Sequence, residues 1–585
     1  MNAPGAGRVL RVAVVGAGFA GLAAAVALVD EHCEVTVLEA RTRVGGRVWS
    51  ERVTTPTGGS AVIERGAEFV LHGYDRMRRH CDRFGLHLVE TGMSYYVRQI
   101  WGHPALTADL LARAGHRAAA AFDPEHPRSA AIVVEGLGVD PVVAEALLSR
   151  VEISSAAPAH SVRGSVLYDV ASFESLLSWR VGEGNQSLAH AMHHHLGDRV
   201  LLGTEVSAVT ASSRGVVVTT SSAAQEFDAV IVALPLEVVR RGIVTIELPD
   251  WKRQALSRLV QGVAAKLHLP LAAAPATSAV LSAEDRFWTW TATGGDGDVP
   301  ALLNAFCGSP EGIRRLDLGT GSPEDGSRWV ERIHRMRRDM SFDDTVRPIV
   351  TEWQSSPYSL GAYSSPTPQF GDDDLQRVIA PVGQIHFAGE YAGGEFVGIM
   401  EGALRSGELA AAQVLAMSNH YQTERGTPHD DVDRILARPV GLGGSGAVQP
   451  GCTGRRDRVH RRDRRVRRRG SVGAGGVCGT GTAGVDQRVR GTRRVRRRDG
   501  EHRQHDSLRS GAGGLHDLHI DPAGVPHLAV PGFDRGGGGQ AAGRGHAHRD
   551  ERCRHRRWET RGTRRCASTL CAPARLTIRM VNFVT

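Results

Sequence analysis

The chain has 585 residues, 41% of them hydrophobic, and a net charge of +8, so it exceeds one domain of about 150 residues and can bury a large core. Gly, Arg or Asp interrupts every apolar run before the roughly 18 residues that span a bilayer, so no transmembrane helix is expected. The N-terminus lacks a basic stretch followed by an apolar segment and a small-residue cleavage site, which predicts no export, a chain starting near Met1 and a cytoplasmic location; eight Cys in this length are not a disulfide framework.

The net charge hides a division. Residues 451–585 carry 31 Arg, no Lys and 12 Asp or Glu, a net +19 that leaves the rest at −11. They also hold five of the eight Cys but only three of the 31 aromatic residues, Phe533, Trp558 and Phe583. Two kinds of sequence are joined.

The chain opens with RVAVVGAGFAGLAAAVALVDEHCEVTVLEA. Arg11 to Val15 reads as a buried parallel strand. Gly16, Gly18 and Gly21 then give GxGxxG, an Ala-rich helix runs to about Val29, and a second strand, Val35 to Leu38, ends in Glu39. Gly16 permits a tight turn, Gly18 lets the backbone approach a pyrophosphate, and Gly21 lets the helix pack on the strand. The helix N-terminus offers unpaired N–H groups to phosphates, and Glu39 is placed to accept hydrogen bonds from a ribose diol. Strand, turn, helix, strand and acid in this order predict dinucleotide binding, without separating NAD from FAD.

The segment RTRVGGRVWS comes next. Gly45 and Gly46 allow a second close backbone approach, and the forked guanidinium of Arg47 suits a phosphate. Here the sequence resembles the flavin-containing amine oxidase family of monoamine, polyamine and L-amino-acid oxidases. The resemblance continues through IERGAEFVLHG (63–73), WRVGEGNQSLAHAM (179–192) and DAVIVALPLEVV (228–239). It closes with IHFAGEYAGGEFVGIMEGALRSGELAA (385–411), so it covers about residues 8–417.

The resemblance implies an α/β fold in which a Rossmann-type FAD-binding domain interleaves with an α+β substrate-binding domain. The FAD domain would use residues 8–70, 180–260 and 375–417, and the substrate domain residues 71–179 and 261–374. It also implies FAD contacts from Gly16, Gly18, Gly21, Glu39, Arg41, Gly45, Gly46, Arg47, Gly66, Ala67, Glu68, Phe69, Val206, Trp353, Gly389, Glu390, Gly398, Ile399 and Met400. In the closing motif, Ile385 to Ala388 reads as a strand and Ile399 to about Leu415 as a helix. The positive end of that helix dipole would favour an anionic reduced flavin.

The chain contains only two lysines, Lys252 and Lys266, beside 69 arginines. A lysine kept inside the apolar run VAAKLHLPL is one that arginine does not replace. Lys266 matches the family lysine that holds a water near flavin N5 and assists reaction with O2. In TEWQSSPYSLGAYSS (351–365), Trp353 and Tyr363 are ten residues apart, as in monoamine oxidases. Ala362 stands where those enzymes carry a flavin-linked Cys, which predicts non-covalent FAD. Tyr363 matches one wall of the substrate cage and Ile399 the other, so the aromatic cage is half-built.

L-amino-acid oxidases carry an Arg for the substrate carboxylate near the GAEF segment. Phe69 stands at the nearest equivalent, with Arg65 close by, which favours an amine lacking a carboxylate; L-amino-acid oxidation stays open. Glu64, Glu68 and Glu395 could attract a polyamine, although structural carboxylates are commoner. The implied reaction passes hydride from the amine α-carbon to flavin N5, leaves an imine for hydrolysis to the aldehyde, and reduces O2 to H2O2. The oligomeric state, a homodimer included, stays open.

Residues 75–180 are helical in pattern, and 270–350 mix helix and strand. His193–His195 fall on a helix, where consecutive residues do not share a face, so a solvated surface is expected and no metal. Residues 418–585 read as an Arg/Gly-rich low-complexity tail without sustained periodicity. The composition matches out-of-frame translation of GC-rich DNA. A disordered basic arm that docks on nucleic acid or membrane is the alternative, weakened for nucleic acid by the missing aromatics.

Overall fold

The computed structural model describes residues 9–170, 175–319 and 326–424. The tail beyond Glu424, with its basic runs and five cysteines, lies outside the described residues.

A five-stranded parallel sheet forms the first layer. Its central strand, Arg11–Val15, pairs with Glu34–Glu39 on one side and Ala229–Val232 on the other. Ile385–Phe387 and Val200–Leu202 complete the two edges. The strands thus come from the two ends and the middle of the chain. Each is short and nearly all apolar, as a sheet covered on both faces requires. The strand expected in DAVIVALP is Ala229–Val232, buried at every position. Val200–Leu202 carries no separate sequence signal.

Helix Phe19–Asp30 covers one face. The long helix Met400–Glu424 packs against it, and a methyl added to Gly407 would lie 2.0 Å from the Ala20 carbonyl oxygen. That helix continues past Leu415, so residues 418–424, expected in the tail, extend it. A second sheet of four strands, Ala224–Phe227, Val216–Thr220, Val206–Ala211 and Thr245–Ile246, lies beside the first, and the two share an apolar cluster through Val15, Val209, Val218 and Val232.

A six-stranded sheet forms the other main layer, in the order Ile349–Glu352, Ala264–Pro270, Leu302–Gly308, Phe287–Thr291, Ser278–Ser282, Gln99–Ile100. Helices Ala108–Ala120, Ala130–Glu135 and Pro141–Ser155 pack on it through an apolar cluster that includes Leu147, Val151, Trp288 and Trp290. Thr107, Ser129 and Asp140 cap these helices by accepting from backbone amides, and Pro141 fills the first turn of the third. Strand Ala264–Pro270 is interior: Lys266 pairs with Phe306 on one side and Thr351 on the other.

Candidate active site

The three glycines of the first turn meet three different demands. Gly16 has φ +103°, and a methyl there would sit 2.7 Å from the Ala233 carbonyl oxygen. At Gly21 a methyl would lie 1.9 Å from the Gly16 carbonyl oxygen. At Gly18 it would meet nothing within 4 Å. The open position faces the start of helix Phe19–Asp30, which has no side-chain cap and no acidic residue in its first turn. The donors and the space suit a pyrophosphate.

The second glycine turn closes on the first. Gly18 and Gly45 form a parallel bridge, Gly45 donates its amide to the Ala17 carbonyl, and Gly46 lies against Gly18. Glu39 is buried at the end of its strand and accepts from the amides of Ala17 (2.7 Å) and Arg41 (2.9 Å). Arg41 donates to the Ser356 and Ser359 hydroxyls, both at 2.9 Å. Cradle, carboxylate and cations fit the phosphate and ribose ends of FAD.

Arg47 joins the two ends of the chain. Its guanidinium donates to Glu390 Oε1 at 3.0 Å and to the Ala362 carbonyl. Glu390 Oε2 accepts from the Ser364 hydroxyl at 2.5 Å. Gly389 holds φ +150° and exchanges hydrogen bonds with Ser406 of the long helix. Gly398 has φ +85°, and a methyl there would come within 3.6 Å of Tyr363 Cδ2, which sets Ile399 and the buried Met400 at the Tyr363 end of the site. Val206, also buried, starts its strand in the four-stranded sheet and shares an apolar cluster with Leu38, the residue before Glu39.

The GAEF segment runs along the opposite wall. Gly66 is pressed onto the Arg47 carbonyl oxygen, where a methyl would approach to 1.8 Å. Trp353 Nε1 donates to the Arg65 carbonyl at 3.1 Å, and its ring meets Trp49 edge-on at 6.5 Å. Lys266 Nζ reaches from the six-stranded sheet to the Glu64 carbonyl (2.8 Å) and Glu68 Oε2 (2.7 Å). Glu68 Oε1 accepts from Trp290 Nε1 at 3.0 Å and lies 3.8 Å from Arg180. Burial alone would raise the Glu68 pKa, but the Lys266 and Arg180 charges outweigh it and hold the carboxyl below its ordinary range. Glu64 has no such cation in contact, and burial pushes it up to about 7.

Several expectations change here. Glu64 and Glu68 are interior structural groups, so neither is an open polyamine attractor; Glu395 is exposed. Arg65 is already engaged with Glu51 (2.8 Å), Thr351 (2.8 Å) and the Trp49 ring, so it is not a spare cation for a carboxylate. Lys266, as its apolar run suggested, is buried on an interior strand. Tyr363 donates its hydroxyl to the Ser154 carbonyl at 2.9 Å. Ala362 is buried in a small pocket with Ala156 and Ala264. His195 lies 3.9 Å from Asp30, and among the described residues no three His, Cys, Asp or Glu could hold a metal ion.

Other residues of the site were not singled out one by one in the sequence, although Asn185 and Gln186 lie in the segment WRVGEGNQSLAHAM. Asn185 and Gln186 are buried at the head of helix Gln186–Leu196. Asn185 Nδ2 donates to the Ala67 (3.1 Å) and Glu68 (2.6 Å) carbonyls, its amide donates to Glu64 Oε1, and Gln186 Nε2 donates to the Val44 carbonyl. The two amides therefore tie GAEF and the Gly45–Gly46 turn to one helix. Phe69 packs against Tyr95, Trp288 and Trp290 at 5.1 to 5.8 Å. The available signal was FWTWT (287–291), which on a strand puts both Trp on one face.

Known proteins share this arrangement. The family described as flavin containing amine oxidoreductase matches residues 19–135 and 140–415. Polyamine oxidase 4 of Oryza sativa subsp. japonica is 26% identical over 464 residues, covering 68% of this chain and 87% of that protein. Flavin-containing amine oxidase A of Bos taurus is 24% identical over 471 residues, covering 70% and 86%. A solved putrescine oxidase bound to putrescine shares the fold at a TM-score of 0.59 and 22% identity, over 70% of this chain and 100% of that one. The family match runs from inside the first βαβ unit to the last described helix: the chain belongs to the flavin-containing amine oxidoreductases and is an oxidoreductase acting on amines.

Proposed function

We propose that the chain oxidises the carbon–nitrogen bond of a small amine, with FAD held non-covalently and O2 as the final acceptor. The observation that carries this is the meeting of Arg47, Glu390 and the Ala362 carbonyl, which brings both glycine-rich ends and the aromatic segment to one wall. Bound FAD supplies the hydride acceptor and returns the electrons to O2, giving H2O2. The chain's own residues position and desolvate. The uncapped helix at Gly18 and the Gly45–Gly46 turn hold the pyrophosphate, Glu39 the ribose, and Glu390 the ribityl chain. Ala362 offers no nucleophile for a covalent link.

Lys266 has three ammonium donors, of which the Glu64 carbonyl and Glu68 take two. With FAD bound, the third would be available to hold a water. Glu68 keeps that ammonium aimed. Tyr363 and Ile399 flank the substrate, whose amine enters deprotonated, so no protein base is required. Among the described residues Cys33, Cys81 and Cys307 are free thiols and no helix is long and apolar enough to cross a membrane; these support a reducing, cytoplasmic location.

The test is a panel of amines and amino acids given to the purified yellow protein, with peroxide detection. Turnover with stoichiometric peroxide is expected; a colourless protein that takes up no FAD would end the reading.

A further inference from the structure

Three buried arginines of this core are matched to carboxylates. Arg180 faces Glu68, Arg286 faces Glu145 and Glu152, and Arg337 faces Asp339. Arg98 is 2% exposed and lies within 4.0 Å of no carboxylate among the described residues. None of its three guanidinium nitrogens makes a well-aligned hydrogen bond there, and the polar group beside it is the Tyr95 hydroxyl. Its carbon Cζ sits 3.7 Å from the centre of the Trp288 ring and 5.1 Å from that of Tyr95. A second cation adds to it: Arg150, fully buried on helix Pro141–Ser155, lies 4.8 Å from the same Tyr95 ring and donates to the Ser154 hydroxyl at 2.8 Å.

Such an arrangement is costly. A buried cation without an anion loses hydration that ring faces return only in part. Burial and the Arg150 charge accordingly pull the Arg98 pKa well below its ordinary range, yet a guanidinium does not give up its proton in a protein. The same two charges outweigh burial at Tyr95 and bring its phenol down to about 8. An anion would offset the Arg98 charge, and a planar carboxylate matches the guanidinium fork.

The place adjoins the expected amine site. Tyr95 touches Phe69, the residue after Glu68, and Trp288 stacks on Trp290 at 4.2 Å, whose indole N–H holds Glu68. Tyr363 donates to the carbonyl of Ser154, whose hydroxyl holds Arg150. Phe69, at the position expected to face a substrate carboxylate, and Tyr363, an expected substrate wall, thus both adjoin the two arginines. We propose that Arg98, with Arg150 beside it, forms an anion-binding wall of this site, and that the physiological substrate is an amine whose carbon skeleton carries a carboxylate. This rests on the amine-oxidase reading above. It moves the carboxylate partner from the GAEF segment, where Phe69 offers none, to the segment before strand Gln99–Ile100.

Matched pairs of substrates test it on the FAD-loaded full chain. Tryptophan against tryptamine places the acid on the α-carbon, and γ-aminobutyrate against butylamine places it at the far end. The acid-bearing member of at least one pair should have kcat/KM about tenfold or more above its partner, the scale of a charge-assisted hydrogen bond. Arg98→Met should raise its KM about 10- to 100-fold and cancel the discrimination, with Arg98→Lys recovering part. A second readout needs no turnover: indoleacetate and butyrate, titrated while flavin absorbance is followed, should perturb the wild type and not Arg98→Met. Preference for the plain amine in both pairs, or acid titrations unchanged by Arg98→Met, would overturn the proposal and leave amine oxidation standing. Failure of every amine, plain or acidic, to reduce the flavin would overturn the amine-oxidase reading itself.

Discussion

Lys266 Nζ lies 2.7 Å from Glu68 Oε2, across 198 residues of chain, and both side chains are sealed from solvent. The pair fixes the GAEF segment to the six-stranded sheet while leaving one ammonium donor uncommitted. Buried pairs of this kind are costly to break one partner at a time.

Lys266→Met is therefore expected to act twice. It should slow reoxidation of the reduced flavin by O2 about tenfold or more, read by stopped-flow absorbance. It should also cost roughly 3–5 kcal/mol of stability by stranding the Glu68 charge. Adding Glu68→Gln should restore part of the stability without restoring the rate. A Lys266→Met rate equal to wild type would remove Lys266 from the oxygen reaction.

Glu64 gives a pH dependence of defined sign. Its ordinary pKa is 4.5, and burial lifts it to about 7 in the fold. Below pH 4.5 both states carry the proton, and above about 7 neither does. Between these the folded state keeps a proton that the unfolded state has lost, so stability falls as pH rises through that window, by about 3 kcal/mol. Glu64→Gln, which can still accept from the Asn185 amide and can offer an N–H to the Ser50 oxygen that now donates to Glu64, should flatten the curve. Urea unfolding of both proteins at pH 5 and pH 7.5 decides it; parallel curves would refute the assignment.

Lys252 repeats the lesson of Lys266. Fully buried, it donates to the carbonyls of Arg377 (3.1 Å), Val378 (2.8 Å) and Ala380 (2.6 Å) at the end of helix Asp372–Ile379. Three convergent carbonyls suit a compact ammonium, not a planar fork. Lys252→Met should cost roughly 1–3 kcal/mol by leaving them without donors, and Lys252→Arg should not restore it. Full stability of the arginine variant in thermal unfolding would contradict this.

Gly407 sets the approach of the last helix to the first. Its missing side chain leaves room for the Ala20 carbonyl, which a methyl would meet at 2.0 Å. Gly407→Ala should cost about 1–3 kcal/mol despite the better helix propensity of alanine. It should also weaken FAD retention in gel filtration, because helix Phe19–Asp30 carries Gly18. A stabilised variant would show that the helices can separate freely.

Attachment of the cofactor follows from Ala362. Precipitation in acid should leave all flavin in the supernatant, and colour in the washed pellet would disprove a non-covalent link.

The sequence by itself determined the βαβ unit and the glycine turns at both ends of the family match, and it singled out Lys266. Those signals are local: glycine spacing, β-branched runs, and a lysine kept where the chain otherwise writes arginine. Three-dimensional packing alone decided that Glu68 pairs with Lys266, that Asn185 and Gln186 hold two distant loops, and that Arg98 lacks an anion. Each depends on which side chains meet across as many as hundreds of residues, and on how far burial strips water from them. A motif records the backbone's needs at one place; whether a charge is balanced is fixed only when the sheet and helices close around it.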